Sequence, residues 1–110
     1  TDHYDIILID APCSGSGSWR RDPQGKWALT EARLSDLCRI QQDILTDSAD
    51  LLAANGTLAY ATCSMLREEN EDQIAQFLRA HPGWTNRMQR RFSPLDDTDG
   101  FFIALLTRKT

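Results

Sequence analysis

The chain has 110 residues, 41% of them hydrophobic and 25% charged, a size and balance that suit one globular unit rather than two. Its 12 Lys and Arg stand against 16 Asp and Glu, and a formal net charge of -4 argues against nucleic-acid binding through a wholly basic face. Three cysteines, with no CxxC pair and no zinc-ligand spacing, argue against a disulfide scaffold and for free thiols in a reducing cytoplasm.

Residues 1–5 are polar and acidic and cannot form the basic start of a signal peptide. No apolar run approaches the roughly 20 residues that span a bilayer. The chain opens without Met and enters an apolar run at once, which reads as a piece of a longer protein. Ile6-Ile7-Leu8-Ile9 is continuous rather than alternating, the pattern of a strand buried on both faces of a parallel sheet. Asp10-Ala11-Pro12 closes it. Residues 12–18 form a small-residue loop of Pro, Cys, Ser and Gly that permits close backbone approach to a ligand. Residues 19–27 are basic and irregular.

Thr30 caps a long helix with Glu31 in its first turn. Leu34, Leu37, Ile40 with Gln41, Ile44, Leu45, Leu51 and Leu52 recur along it, and Asn55-Gly56 is its expected stop. Residues 57–62 read as a second strand, closed by Cys63-Ser64. A second helix is expected over 66–80, with Ile74, Phe77 and Leu78 on its apolar face, stopped by His81-Pro82-Gly83. Residues 84–92 read as a third strand, 93–100 as a turn-rich loop, and Phe101-Phe102-Ile103-Ala104-Leu105-Leu106 as a last strand in a hairpin with the third. Arg87, Arg90 and Arg91 read as solvated residues.

The first two strands, joined by a helix, are expected to lie parallel with a right-handed crossover. Ligands of such sheets bind beyond the carboxyl ends of the strands. Those ends carry Asp10-Ala11-Pro12-Cys13 and Thr62-Cys63-Ser64, so two thiols and a carboxylate converge on one edge. A thiolate is the reactive form of cysteine; a helix starting just after Cys63 would favour it, and the acidic Glu68-Glu69 would work against it. A cysteine taken alone can equally be a small buried hydrophobe, the reading that suits Cys38 inside its helix. The Gly-Ser loop is no phosphate-binding loop, since the Gly-Lys-Ser/Thr ending is missing.

These segments resemble a known family. Asp10-Ala11-Pro12-Cys13-Ser14-Gly15 is similar to the DAPCSG motif, and Thr62-Cys63-Ser64 to the TCS motif, of the Sun/Fmu-type RNA (cytosine-5)-methyltransferases. The resemblance runs on through Arg21-x-Pro23, Lys26-Trp27, Gln41, Asn55-Gly56, Glu68-Glu69-Asn70 and Asp99-Gly100-Phe101-Phe102. Ala61 stands where the family often has Ser, and Arg67 where Pro is frequent. The resemblance implies an α/β chain, the C-terminal half of a Rossmann-like methyltransferase fold, with residues 1–110 as one partial domain. It implies methyl transfer from S-adenosylmethionine to carbon 5 of a cytosine in RNA, ribosomal before transfer RNA. Cys63 takes the part of the nucleophile at carbon 6, and Cys13 that of the base at carbon 5. Asp10 lies between cytosine and cofactor, and Pro12 offers its carbonyl.

Arg20, Arg21 and Lys26 are read as RNA phosphate contacts or a solvated loop, and Trp19 and Trp27 as base-stacking or packing residues. The family's cofactor-binding strand, glycine-rich turn and ribose-holding acid are not in this sequence. The chain alone is therefore expected to bind S-adenosylmethionine weakly or not at all, to be inactive, and to self-associate through its first strand. A non-catalytic RNA-binding or scaffold module of the same fold is the alternative, against which the pair of thiols argues. A thiol redox protein would want a CxxC.

Overall fold

Seven residues at the start of the chain, Tyr4–Asp10, form β1 at the edge of a four-stranded sheet in the order β1-β2-β4-β3. The computed structural model describes residues 3–15, 30–92 and 100–109. Helix α1 (Glu31–Asp50) crosses from β1 to β2 (Leu52–Thr62), which lies parallel to β1. A 3₁₀ turn (Arg67–Glu69) precedes α2 (Glu71–Ala80), and β3 (Trp84–Phe92) and β4 (Phe101–Arg108) pair antiparallel as the expected hairpin. Strand β4 inserts between β2 and β3 and runs against both, so β1, β2 and β3 share one direction. Among the described residues, no helix is long and apolar enough to cross a membrane.

Local chemistry accounts for most boundaries. The Thr30 hydroxyl accepts from the Arg33 N–H at 3.1 Å, the expected N-cap. Helix α1 buries Leu37, Gln41, Leu45 and Ala49, a stripe at every fourth residue. Its last turn holds no basic residue, and Arg108 supplies the missing charge from β4. The Arg108 guanidinium donates to the carbonyls of Ala49 at 2.8 Å, Leu52 at 3.0 Å and Ala53 at 2.8 Å, and lies over the Trp84 ring.

The core sits between one face of the sheet and the two helices. Leu58, Tyr60, Phe102, Ala104 and Leu106 of the central strands pack on Leu45, Ala49, Ile74 and Phe77 of the helices, all buried. Phe77 meets Trp84 edge-on with ring centroids 5.4 Å apart, and Tyr60 meets Phe102 in the same way at 6.4 Å.

Three expectations need correction. Helix α1 ends at Asp50 rather than at Asn55-Gly56, and that pair lies inside β2. The pairing steps from Tyr4 opposite Leu52 to Ile6 opposite Thr57, so β2 bulges there. Gly56 fits because a side chain would not: an added Cβ would lie 2.7 Å from the Leu52 side chain and 2.8 Å from the Asp5 carbonyl. Next, β1 is buried on one face only. Ile9 is buried and Ile7 packs on the core, whereas Tyr4, Ile6 and Leu8 are 58%, 72% and 67% exposed. Finally, Arg91 is exposed but is not merely solvated. It donates twice to the Glu71 carboxylate and at 2.7 Å to the Met65 carbonyl, tying β3 to the segment after Cys63. Burial raises the Glu71 carboxyl, and the bonds and charge of Arg91 outweigh that and bring it below its ordinary value.

Candidate active site

Strands β1 and β2 end side by side, with Asp10 opposite Ala61 and the Ala11 N–H donating to the Ala61 carbonyl at 2.9 Å. The loops that leave these ends carry Cys13 and Cys63. The backbone N–H groups of Gly15 and of Cys63 both act on the Cys13 thiol, which places Cys63 beside Cys13. Gly15 adopts a φ of 74°, a conformation that favours glycine. Cys13 is half-buried and Cys63 exposed. Burial pushes the Cys13 thiol above its ordinary value, by more than the two N–H groups lower it, and the charges of Glu69 and Cys63 add to the rise. The two thiols thus occupy different environments at one place.

The exposure of Cys63 follows from its neighbours. Thr62 and Ser64 are both wholly buried. The Thr62 hydroxyl accepts from the Ser64 N–H at 3.1 Å, and the Ser64 hydroxyl accepts from the Leu66 N–H at 3.0 Å. With both flanking side chains turned inward, Cys63 projects outward. The helix expected just beyond Cys63 is not there: α2 begins at Glu71, and its first turn carries Glu71 and Asp72. A helix N-terminus therefore does not act on Cys63. Asn70 interrupts the expected helix by turning its amide back, donating to the Ser64 carbonyl at 2.8 Å and accepting from the Thr62 hydroxyl at 2.6 Å.

Beneath the loops lies a polar cluster that sequence reasoning left without a role. Glu69 is wholly buried. Its carboxylate accepts from the Ser14 N–H at 2.8 Å, the Ser14 hydroxyl at 2.6 Å, the Ser64 hydroxyl at 2.6 Å and the Gln41 amide at 3.0 Å. The same Gln41 amide donates to the Pro12 carbonyl at 2.8 Å, and the Tyr60 hydroxyl to the Glu69 carbonyl at 2.8 Å. The signal was Gln41 itself, a polar residue on the buried stripe of α1. Cys38 stands apart, its thiol 3.5 Å from the Glu68 carbonyl and its carbonyl bonded by Gln73.

Asp10 is exposed at the carboxyl end of β1, and its side chain makes no hydrogen bond or ion pair to the described residues. Arg20, Arg21, Lys26, Trp19, Trp27 and Asp99 lie outside the described residues.

Known proteins resemble this chain in sequence and in fold. The family described as 16S rRNA methyltransferase RsmB/F matches residues 1–107. A ribosomal RNA small subunit methyltransferase B of Yersinia pseudotuberculosis is 41% identical over 96% of the chain, which spans only 27% of that relative's length. The structure of NSun6 from Pyrococcus horikoshii with SFG superposes with a TM-score of 0.85 at 27% identity, covering 99% of this chain and 31% of that one. A methyltransferase homolog protein from the same organism gives 0.79 at 28% identity, covering 99% and 40%. The fold, the paired cysteine loops and the match along nearly the whole chain lead to one assignment: this chain belongs to the 16S rRNA methyltransferase RsmB/F family.

Proposed function

We propose that the chain is the C-terminal part of the catalytic domain of an enzyme that methylates carbon 5 of a cytosine in small-subunit ribosomal RNA. The observation that carries this is the meeting of a half-buried Cys13 with an exposed Cys63 at the carboxyl edge of β1 and β2. Carbon 5 of cytosine is inert until a nucleophile adds at carbon 6, and covalent catalysis answers that need.

The exposed Cys63 thiolate forms the bond to carbon 6, and carbon 5 becomes the nucleophile. S-adenosylmethionine, when bound, supplies the methyl group as the electrophile. The relatives' names fit that donor, as does SFG, an S-adenosylmethionine analogue, in one structural neighbour. On this chain, Asp10 fits a place between donor and base, because its carboxylate is exposed at the edge where the thiols meet and is unengaged by the described residues. There it accepts from the ring's amino edge and holds the base in register. Pro12, held through its carbonyl by Gln41, forms the wall beside it. Cys13, after losing its proton to solvent, takes the proton from carbon 5. The carbon–sulfur bond then breaks and Cys63 leaves as thiolate. Burial disfavours the Cys13 thiolate, whereas Cys63 stands exposed to the base. Arg20, Arg21 and Lys26 contact RNA phosphates in this reading.

RNA carrying 5-fluorocytosine tests the chemistry, because fluorine at carbon 5 cannot leave as a proton. The full-length protein is expected to form a stable protein–RNA adduct in the presence of S-adenosylmethionine. Cys63→Ala should abolish it, and an adduct that survives this change would sink the assignment of the nucleophile.

The same reading makes the 110-residue chain inactive by itself, since it spans 27% of its relatives' length. It also makes the chain self-associate in the cytoplasm-like buffer of an assay. Tyr4, Ile6 and Leu8 expose an apolar row on the edge strand of the described sheet. Sedimentation velocity is expected to show concentration-dependent dimers or larger species, and a clean monomer at high concentration would count against it.

A further inference from the structure

The carboxylate of Glu69 contacts neither thiol as a bonding partner, yet it is bonded to the residue that follows each of them. Ser14 follows Cys13, and Ser64 follows Cys63. The two hydroxyls converge on one oxygen, Oε1, at 2.6 Å each. The Ser14 N–H and the Gln41 amide take the other, Oε2, at 2.8 and 3.0 Å. Four donors thus occupy the roughly four acceptor positions of one carboxylate. Burying a charged group is costly unless its bonds are complete, and apolar residues of similar size usually fill such a place at no loss of stability. A wholly buried carboxylate here calls for something besides packing.

Its main chain is fixed as firmly as its side chain. The Glu69 carbonyl accepts from the wholly buried Tyr60, and Asn70, also wholly buried, is bonded on both sides of its amide. Glu69 is therefore a rigid post, and the two cysteine loops, 55 and 5 residues away in the chain, hang from it. We propose that Glu69 is a positioning residue whose carboxylate clasps Ser14 and Ser64 and so sets the reach between Cys13 and Cys63. This deepens the two-thiol reading above and rests on it. The two sulfurs serve adjacent ring carbons in sequence, one bonding carbon 6 and the other taking the proton from carbon 5. Neither loop alone fixes the distance between them, whereas a shared oxygen does. Misplacement by about 1 Å costs on the order of 100-fold in rate.

The test uses the full-length protein with S-adenosylmethionine and RNA, measuring kcat, both KM values and the yield of the 5-fluorocytosine adduct. Glu69→Ala is expected to lower kcat about 100-fold, with both KM values within about threefold. Glu69→Gln, whose amide can donate to the serine hydroxyls in place of accepting from them, should recover about tenfold of that loss. Ser14→Ala and Ser64→Ala each open one side of the clasp and should lower kcat about tenfold, and neither should add to the loss in Glu69→Ala. Should Glu69→Ala fail to fold, the serine and Gln variants decide. Serine and Gln variants with wild-type kcat, or losses confined to KM, overturn the clasp while wild-type adduct formation leaves the covalent chemistry standing. A wild-type protein that forms no adduct overturns the chemistry and the clasp together.

Discussion

A Cys13→Ala full-length protein is expected to attack an ordinary cytosine, accept the methyl group and then stall, so that a protein–RNA band accumulates on unmodified RNA. Cys63 remains exposed and held by its buried neighbours Thr62 and Ser64, so the attacking group is intact. What is lost is the one thiol whose sulfur lies against the Cys63 N–H. With no base at carbon 5 the carbon–sulfur bond cannot break, and turnover should fall by about 100-fold or more, the usual worth of a positioned proton acceptor. The pH dependence has a definite sign. Burial, helped by the Glu69 and Cys63 charges, raises the Cys13 thiol above its ordinary value. The reactive thiolate is then scarce near neutrality and grows about tenfold per pH unit below its pKa. Release of product in the wild type should therefore accelerate with pH over about pH 7 to 9, and that limb should vanish in Cys13→Ala. A variant that turns over at the wild-type rate without a stable band, or a wild-type release rate flat across this range, would remove Cys13 from its role.

The strands, the long crossover helix and the hairpin were legible because each is written in local pattern. The β-branched run of β1, the Thr30 cap and the apolar run of β4 say what they are without their partners. The convergence of Cys13 and Cys63 was legible too, since parallel strands joined by a crossover helix bring their carboxyl ends to one edge. The polar cluster beneath was not. Its members, Ser14, Gln41, Ser64 and Glu69, come from four separate segments, and no periodicity relates them. Gln41 falls beside Ile40 in the sequence and within the family resemblance, and its place on the buried stripe of Leu37, Leu45 and Ala49 is a tertiary fact. The misplaced end of α1 has a similar origin. Asn-Gly is a turn signal, but here the glycine answers a close approach of Asp5 and Leu52 within a β-bulge, a tertiary fact. The family resemblance named Glu69 and Asn70 as part of a motif and gave neither a task.

Asn70→Ala is expected to destabilise the protein by several kcal/mol. Residues 66–80 have the composition of one continuous helix, and Asn70 prevents it by leaving helical geometry with φ -115° and ψ -97°. Its amide is wholly buried and serves two groups at once, the Ser64 carbonyl and the Thr62 hydroxyl. Removing it takes one buried hydrogen bond from each, at about 1–3 kcal/mol apiece, so the sum is about 2–6 kcal/mol. A loss of that size is a large part of the stability of a typical domain. Arg67→Ala provides the contrast a few residues away. Its ion pair with Asp72 at 3.3 Å joins side chains that are 77% and 55% exposed, and such a pair is worth at most about 1 kcal/mol. Urea unfolding of the full-length protein should separate the two variants clearly. The 5-fluorocytosine adduct yield should fall in Asn70→Ala, because the loop that pushes Cys63 outward is pinned through the bonds of Asn70 to Thr62 and Ser64, and should hold in Arg67→Ala. A loss below about 1 kcal/mol in Asn70→Ala would mean that Thr62 and Ser64 find other partners and that the loop is not held from Asn70.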